Sequence, residues 1–248
     1  MLHMNYKNQR VIALLTAAGQ GARMNFEIPK QFIHVDQKPL IIHTAQAFQD
    51  HPETDGIMIV TLPDWIPAIQ AYAEQYRITK LEWIITGGKT NQESIRNGVM
   101  ALQEKVPPDS IIIIHDGNRS NVSGETISDS IATFRRYGSA VAAIPCVEAA
   151  FRCETDEMSS VTPVDRTGLY RTQTPHTYTL EKLVWAHREA EARNIHNEAA
   201  TCTLMQKLGE RIYFSKGTET NLKITTADDL KIFEALLAAE NSRKAGLT

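Results

Sequence analysis

The residues best equipped for chemistry gather where apolar runs end. Val11–Thr16 is such a run, and it empties into Ala17-Ala18-Gly19-Gln20-Gly21-Ala22-Arg23, with Lys30 seven residues past Arg23. Gly19 and Gly21 let the backbone approach a ligand closely and aim N–H groups at it. Arg23 adds a planar fork of donors and Lys30 a point charge. Together these are the parts of a phosphate-binding loop. The loop is not a P-loop, which needs Gly-Lys-Ser/Thr. Nor is it a dinucleotide fingerprint, which needs a third glycine where Met24 stands. A tight turn with surface cations would leave the same trace, so the loop alone leaves two readings open.

Four other places carry comparable groups. His115-Asp116 ends the run Ile111–Ile114, and a carboxylate there is suited to Mg²⁺. The plainer alternative is an aspartate capping backbone groups of Asn118 or Arg119. Arg119 itself is either a phosphate ligand or a surface cation. Gly87-Gly88-Lys89-Thr90-Asn91-Gln92-Glu93-Ser94 opens a helical stretch, and backbone amides near Gly88, with the Ser94 hydroxyl, are placed to read a base edge. A simple turn with a capping threonine or asparagine fits the segment equally well. Lys223 sits between Leu222 and Ile224; a lysine buried there needs an anionic partner such as a phosphate. Otherwise its stem leans inward with its head in water. Asp165-Arg166 and Gln173-Thr174-Pro175 form the last pair. Arg166 is a candidate for a substrate phosphate, against an ion pair with Asp165 or with a partner subunit. No Ser–His–Asp or Cys–His set declares itself by spacing, and there is no HExxH.

These loops need elements to position them. Apolar, β-branched runs at Val11–Thr16, Gly56–Leu62, Glu82–Thr86, Ile111–His115 and Ala140–Pro145 read as strands covered on both faces. Between them Pro39–Gln49, Pro67–Tyr76, Asn91–Leu102 and Glu125–Tyr137 read as helices. The alternation predicts an α/β fold: a Rossmann-like, mainly parallel sheet flanked by helices. In such sheets ligands bind beyond the carboxyl ends of the strands, where Ala17–Lys30, Gly87–Ser94 and His115–Arg119 all fall. Residues 145–174 break the rhythm. Arg152–Thr155, a turn around Asp156–Ser160 and Val161–Pro163 read as a projecting β-arm. An arm too small to build a core packs on a partner, so a homodimer is expected. Helices resume at Leu180–Arg193 and Glu198–Leu208. A strand at Arg211–Lys216 follows, then a helix at Ala227–Ala239 capped by Thr226.

Bulk composition narrows the class. At 248 residues and 42% apolar, the chain builds a core without disulfides or structural metal, and residues 1–248 read as one domain. A net charge of −3 argues against general nucleic-acid binding, so any basic site is a local cluster. Cys146, Cys153 and Cys202 form no CxxC pair, and the polar start from Met1 to Arg10 has no signal-peptide stretch. No segment reaches the ~20 apolar residues of a membrane span. A cytoplasmic protein with no membrane partner is expected.

Read in order, AAGQGARM…PKQF, TGGKTNQESI, HDGNR, DRTGLYRTQTPH and NLKITTADDL resemble the cytidylyltransferase family that makes CDP-activated polyols. The resemblance runs from Val11 to about Leu237. KPLIIHT and Leu62–Trp65 lean toward the members that use ribitol 5-phosphate rather than 2-C-methyl-D-erythritol 4-phosphate. The resemblance implies transfer of CMP from CTP to a small polyol phosphate, with Mg²⁺ as cofactor. It implies that Arg23 and Lys30 stabilise charge on the α-phosphate. It places Ala17, Ala18, Gly19, Gly88 and Ser94 at the cytidine and Asp116 at the metal. Arg166 and Lys223 would position the acceptor phosphate, Arg166 across a dimer, with Arg119 and Thr174 as further acceptor contacts. Several positions depart from the family pattern: Ser120 for a loop proline, Glu148-Ala149 for Asp-Thr, Lys89-Thr90-Asn91, His176 for glutamine, and His196-Asn197-Glu198-Ala199. They fall on the acceptor side and at some nucleotide-side positions, which leaves the acceptor open. The competing expectations are an NTP-dependent sugar-phosphate nucleotidyltransferase and a nucleotide-binding paralogue with little turnover.

Overall fold

A computed structural model describes residues 9–19, 28–154 and 158–246. Its centre is a seven-stranded sheet. In chain order the strands are β1 (Val11–Ala17), two short strands β2 (His34–Val35) and β3 (Lys38–Pro39), β4 (Gly56–Thr61), β5 (Leu81–Thr86), β6 (Ile111–Asp116), β7 (Ala140–Pro145), β8 (Ala150–Arg152), β9 (Thr162–Val164), β10 (Tyr170–Thr179) and β11 (Phe214–Lys216). The helices are α1 (Leu40–Asp50), α2 (Ile66–Gln75), α3 (Asn91–Gln103), α4 (Gly124–Tyr137), α5 (Leu180–Ala192), α6 (Thr201–Lys207) and α7 (Ala227–Lys244). The sheet order is β11-β7-β10-β6-β1-β4-β5, with β2–β3 and β8–β9 as separate ribbons. The expected α/β class, strands and helices are present, with shorter bounds for α6 and β11.

β1 shows why the sheet is buried on both faces. Ile12 and Leu14 join one core with α3 and α5 residues such as Val99 and Leu183. Val11, Ala13 and Leu15 join another with Ile42, Phe48 and Ile131 from α1 and α4. Alternate side chains point to opposite faces, so a continuous apolar run serves two cores. β1 pairs in parallel with β4 on one side and β6 on the other. The chain leaves β1 toward β4 and returns later to β6. The crevice at their carboxyl ends is a topological switch point, the usual ligand position in such sheets.

One central strand was not expected. β10 lies between β7 and β6 and runs antiparallel to both, with a register shift between Thr172 and His176 and a cis Thr174–Pro175 bond. Its sequence, YRTQTPHTYT, has no aliphatic run and contains a proline that cannot donate to the ladder, so it does not read as a central strand. The sheet draws it in between existing apolar strands. Residues 170–174, first assigned to the arm, therefore belong to the sheet. The arm proper is the β8–β9 hairpin; part of its turn, residues 155–157, lies outside the described residues.

Thr226 caps α7 as expected. Its hydroxyl accepts the Asp229 N–H while Asp229 accepts the N–H of Thr226, a reciprocal capping box. Asp229 also accepts from the N–H and hydroxyl of Thr225, at 2.8 and 2.9 Å. The extended segment before α7, which carries Lys223, is thereby fixed at its downstream end.

Candidate active site

Three strand ends meet at one cleft of about 370 Å³, lined by Ala17, Ala18 and Gly19 after β1, by Lys30, by Gly88, Lys89 and Ser94 after β5, and by Asp116 at the end of β6, with Lys223 opposite. A second cleft of about 170 Å³ opens beside it and shares Thr16, Asn91, Asp116 and Lys223; Arg119, Thr174 and His176 line its far side. Three lysines around one aspartate make this a local cationic site in a chain of net charge −3. Gly21 and Arg23 lie outside the described residues.

The loops touch each other directly. A β-carbon on Gly87 would come within 2.3 Å of the Ala18 β-carbon, so only glycine lets the β1 and β5 loops close on one another. The Gly87 N–H donates to the Thr61 carbonyl at 2.8 Å. Ser94 is buried at the start of α3. Its hydroxyl accepts the Gly88 N–H at 3.1 Å and donates to the Thr90 carbonyl at 2.9 Å. That hydroxyl shapes the glycine loop from below. Thr90 caps α3 by accepting the Glu93 N–H at 3.1 Å.

Gln31 was not singled out from the sequence, yet it organises the first loop. It is buried, and its amide donates to the carbonyls of Ala17 and Gly19, at 2.6 and 3.0 Å. Lys30, next to it in a short 3-10 turn, is thus tied to the same loop. A polar residue after a lysine carries no sign of burial in sequence; the only trace was its place in the PKQF motif.

Asp116 is the electrostatic centre. Its Oδ1 accepts from Lys223 Nζ at 3.1 Å and its Oδ2 from Arg119 Nε at 3.0 Å. Burial pushes the carboxyl upward in pKa, but Lys223 and then Arg119 outweigh it and hold the group well below the usual carboxylate range. The Asp116 N–H donates to the Thr174 hydroxyl at 3.0 Å. Thr174 therefore holds Asp116 in place from β10. Arg119, with a 12% exposed side chain, is no surface cation; it also donates to the Asn221 carbonyl at 2.7 Å. Beneath them the His115 imidazole is pushed down to about 4 by burial, against the Arg119 carbonyl.

Of the two readings open for Lys223, the structure gives the one in which its head reaches solvent. Its side chain is 41% exposed. Ile224 is buried, and alternation along an extended segment turns Lys223 to the cleft. The segment is held by Asn118, whose amide donates to the Ile224 carbonyl and whose carbonyl accepts the Ile224 N–H. Asn221 adds a bond to the Thr174 carbonyl at 2.8 Å. Arg166 is not brought to either cleft. It is exposed on the arm side, donating to the Val147 carbonyl rather than pairing with Asp165, whose carboxylate accepts the Thr167 N–H.

Asp116 is the one carboxylate among the residues lining the two clefts, and Lys223 and Arg119 each engage one of its oxygens. The described residues hold no group of three or more acidic, histidine or cysteine side chains that would form an all-protein cage. Glycine-lined backbone, three ammonium groups and one carboxylate can hold a nucleoside triphosphate beside a second phosphate.

The sequence profile of the 2-C-methyl-D-erythritol 4-phosphate cytidylyltransferase family matches residues 11–239. The chain belongs to this family. As a cytidylyltransferase it is 40% identical, over 92% of its length and 97% of the relative's, to a ribitol-5-phosphate cytidylyltransferase of Lacticaseibacillus paracasei. It is 33% identical, over 94% of its length and 98% of the relative's, to a 2-C-methyl-D-erythritol 4-phosphate cytidylyltransferase of Syntrophus aciditrophicus. Among solved structures, a 4-diphosphocytidyl-2C-methyl-D-erythritol synthase superposes with a TM-score of 0.78 at 26% identity, covering 92% of this chain and 98% of that one. The cytidylyltransferase also has no helix, among its described residues, long and apolar enough to cross a membrane.

Proposed function

We propose that this cytidylyltransferase transfers CMP from CTP to ribitol 5-phosphate, releasing pyrophosphate. The observation that carries the reading is the double grip on Asp116: Lys223 and Arg119 meet one carboxylate at the junction of two clefts. The larger cleft suits the nucleotide and the smaller one the acceptor. The 40% relative named for ribitol 5-phosphate favours that acceptor over methylerythritol phosphate.

In this reading an oxygen of the acceptor phosphate attacks the α-phosphorus of CTP, a new P–O bond forms, and the bond to the β-phosphate oxygen breaks. The nucleophile is already an anion, so no general base is required. The obstacle is repulsion between two phosphates. Lys30, Lys89 and Lys223 offset it, and Arg23 is assigned to the same task. The backbone at Ala17, Ala18, Gly19 and Gly88 holds the nucleotide in place, and fixed geometry supplies much of the remaining acceleration. Asp116 would hold Mg²⁺, which when bound neutralises phosphate charge.

A homodimer belongs to the same proposal. Phe151, Met158 and Val161 on the arm are 61%, 89% and 90% exposed, and a two-stranded ribbon with such a surface lacks a core of its own. A second copy would cover it and could bring Arg166 to its partner's acceptor cleft. None of the three cysteines forms a disulfide, in keeping with a cytoplasmic location.

The test is pyrophosphate release with CTP, Mg²⁺ and a panel of acceptors. Ribitol 5-phosphate should give kcat/KM at least tenfold above methylerythritol 4-phosphate and glycerol 3-phosphate. A reversed order would replace the acceptor; CTP binding with no release from any acceptor would favour a nucleotide-binding regulator.

A further inference from the structure

One side chain ties a wall of the smaller cleft to the glycine loop of the larger. Gln92 stands in the first turn of α3 and lines neither cleft. Its amide nitrogen donates to the Ile195 carbonyl at 2.9 Å, and its amide oxygen accepts the Glu198 N–H at 2.8 Å. One partner only accepts and the other only donates, so the two fix which way the amide points. Both lie on the link between α5 and α6, 103 and 106 residues further along the chain. Residues 195–200 of that link belong to no helix or strand, and Asn197 has a φ of 60°, in the left-handed region. A stretch without a ladder of its own depends on side chains to satisfy and fix its backbone. Asn91, beside Gln92, adds a longer contact from Nδ2 to the Ala199 carbonyl at 3.4 Å, and Lys207 Nζ meets the Glu198 carboxylate at 2.5 Å. Ala199 and Ala200, which follow directly, line the smaller cleft.

We propose that Gln92 is a positioning residue that holds the acceptor wall in register with the nucleotide loop. This rests on the reading given under Proposed function, with the nucleotide in the larger cleft and the acceptor in the smaller. The first turn of α3 serves both sides. Toward the nucleotide, Thr90 caps it and the Ser94 hydroxyl fixes Gly88. Toward the acceptor, Gln92 grips the link on either side of His196 and Asn197 and so sets where Ala199 and Ala200 stand. Attack on phosphorus needs the incoming oxygen at about 3–3.5 Å, and a misplacement of about 1 Å can cost about 10²-fold in rate. A wall free to shift against α3 loses that register while Lys30, Lys223 and Arg119 stay in place. The grip requires a donor and an acceptor on one side chain. An amide supplies both, a carboxylate keeps only the acceptor, and a thioether of similar length offers neither at comparable strength.

The experiment measures kcat and both KM values, for CTP and for ribitol 5-phosphate, with unaltered protein, Gln92→Met and Gln92→Glu. Gln92→Met should raise KM for ribitol 5-phosphate about fivefold or more, the scale of one lost neutral hydrogen bond, and lower kcat. KM for CTP should stay within about twofold. Gln92→Glu, which keeps the contact to the Glu198 N–H, should fall between Gln92→Met and unaltered protein. A merely structural role would lower the denaturation midpoint and leave both KM values of the folded enzyme alone. Equal shifts in both KM values, or no shift in either, would overturn the proposal. Hydrogen exchange on unaltered protein, followed by NMR, decides it even where a variant does not fold. CTP bound against the first turn of α3 steadies the residue that grips the link, so it should slow exchange of the Glu198 amide. Exchange that CTP leaves unchanged also overturns the proposal. Absence of turnover with every polyol phosphate would overturn the parent reading and this one with it, whereas turnover with unshifted variants overturns this one alone.

Discussion

Asp116 spends both carboxylate oxygens on cations, one on a half-exposed lysine and one on a nearly buried arginine. The two pairs differ in weight. An exposed partner contributes little after solvent screening, whereas breaking a buried pair leaves a charge uncompensated. Because the folded pKa of Asp116 is depressed, its contribution is complete above the ordinary carboxylate pKa. It fades only as pH falls through that range toward the lowered folded value, so the contact persists at neutral and mildly acid pH. Asp116→Asn should therefore do two things. It should remove CMP transfer, and it should lower stability by about 2–4 kcal/mol, chiefly by stranding Arg119. Urea denaturation at pH 7 measures the second effect. An unchanged midpoint would mean that Arg119 finds water or another acceptor.

At the scale of elements, the site depends on loops that touch. Gly87→Ala would press a methyl group into Ala18, where neither neighbour is a flexible chain end. Overpacking of this kind costs about 1–3 kcal/mol, and the β1 and β5 loops would part. The expected result in calorimetry is weaker CTP binding with the acceptor site unaffected; unaltered CTP affinity would show that the two loops move independently. Elements also show what the sequence could reveal. β1, β4 and β6 were legible because continuous aliphatic runs bounded by polar loops have few other readings. Their loops pointed to Gly88, Ser94 and Asp116 because strand polarity alone puts such loops on one edge. β10 was illegible: its residues are polar, and its place depends on neighbours far along the chain. For the same reason Gln31 and Asn118 went unnoticed, since their work is to bind backbone carbonyls that only the fold brings near. For Lys223 the flanking apolar residues left burial and exposure both open, and alternation along the extended segment decides for exposure.

For the whole molecule, the arm leaves apolar side chains exposed, and Arg166 lines neither cleft within one chain. The proposed second copy would cover the first and could bring the second to its partner's cleft. Light scattering should give a dimer mass, and Phe151→Asp with Val161→Asp should give a monomer that retains CTP binding and loses acceptor turnover. A monomer for the unaltered protein would remove the cross-subunit role of Arg166. The central claim, however, concerns cations around one pair of clefts. Its most direct test is formation of the CDP-linked product from CTP and ribitol 5-phosphate by unaltered protein and by Lys30→Ala. The account predicts equal amounts of product and pyrophosphate from the former. It predicts a loss of about 10²–10³ in rate for the variant, as for a lost oxyanion donor, in a protein that still folds. Undiminished turnover by Lys30→Ala would contradict it.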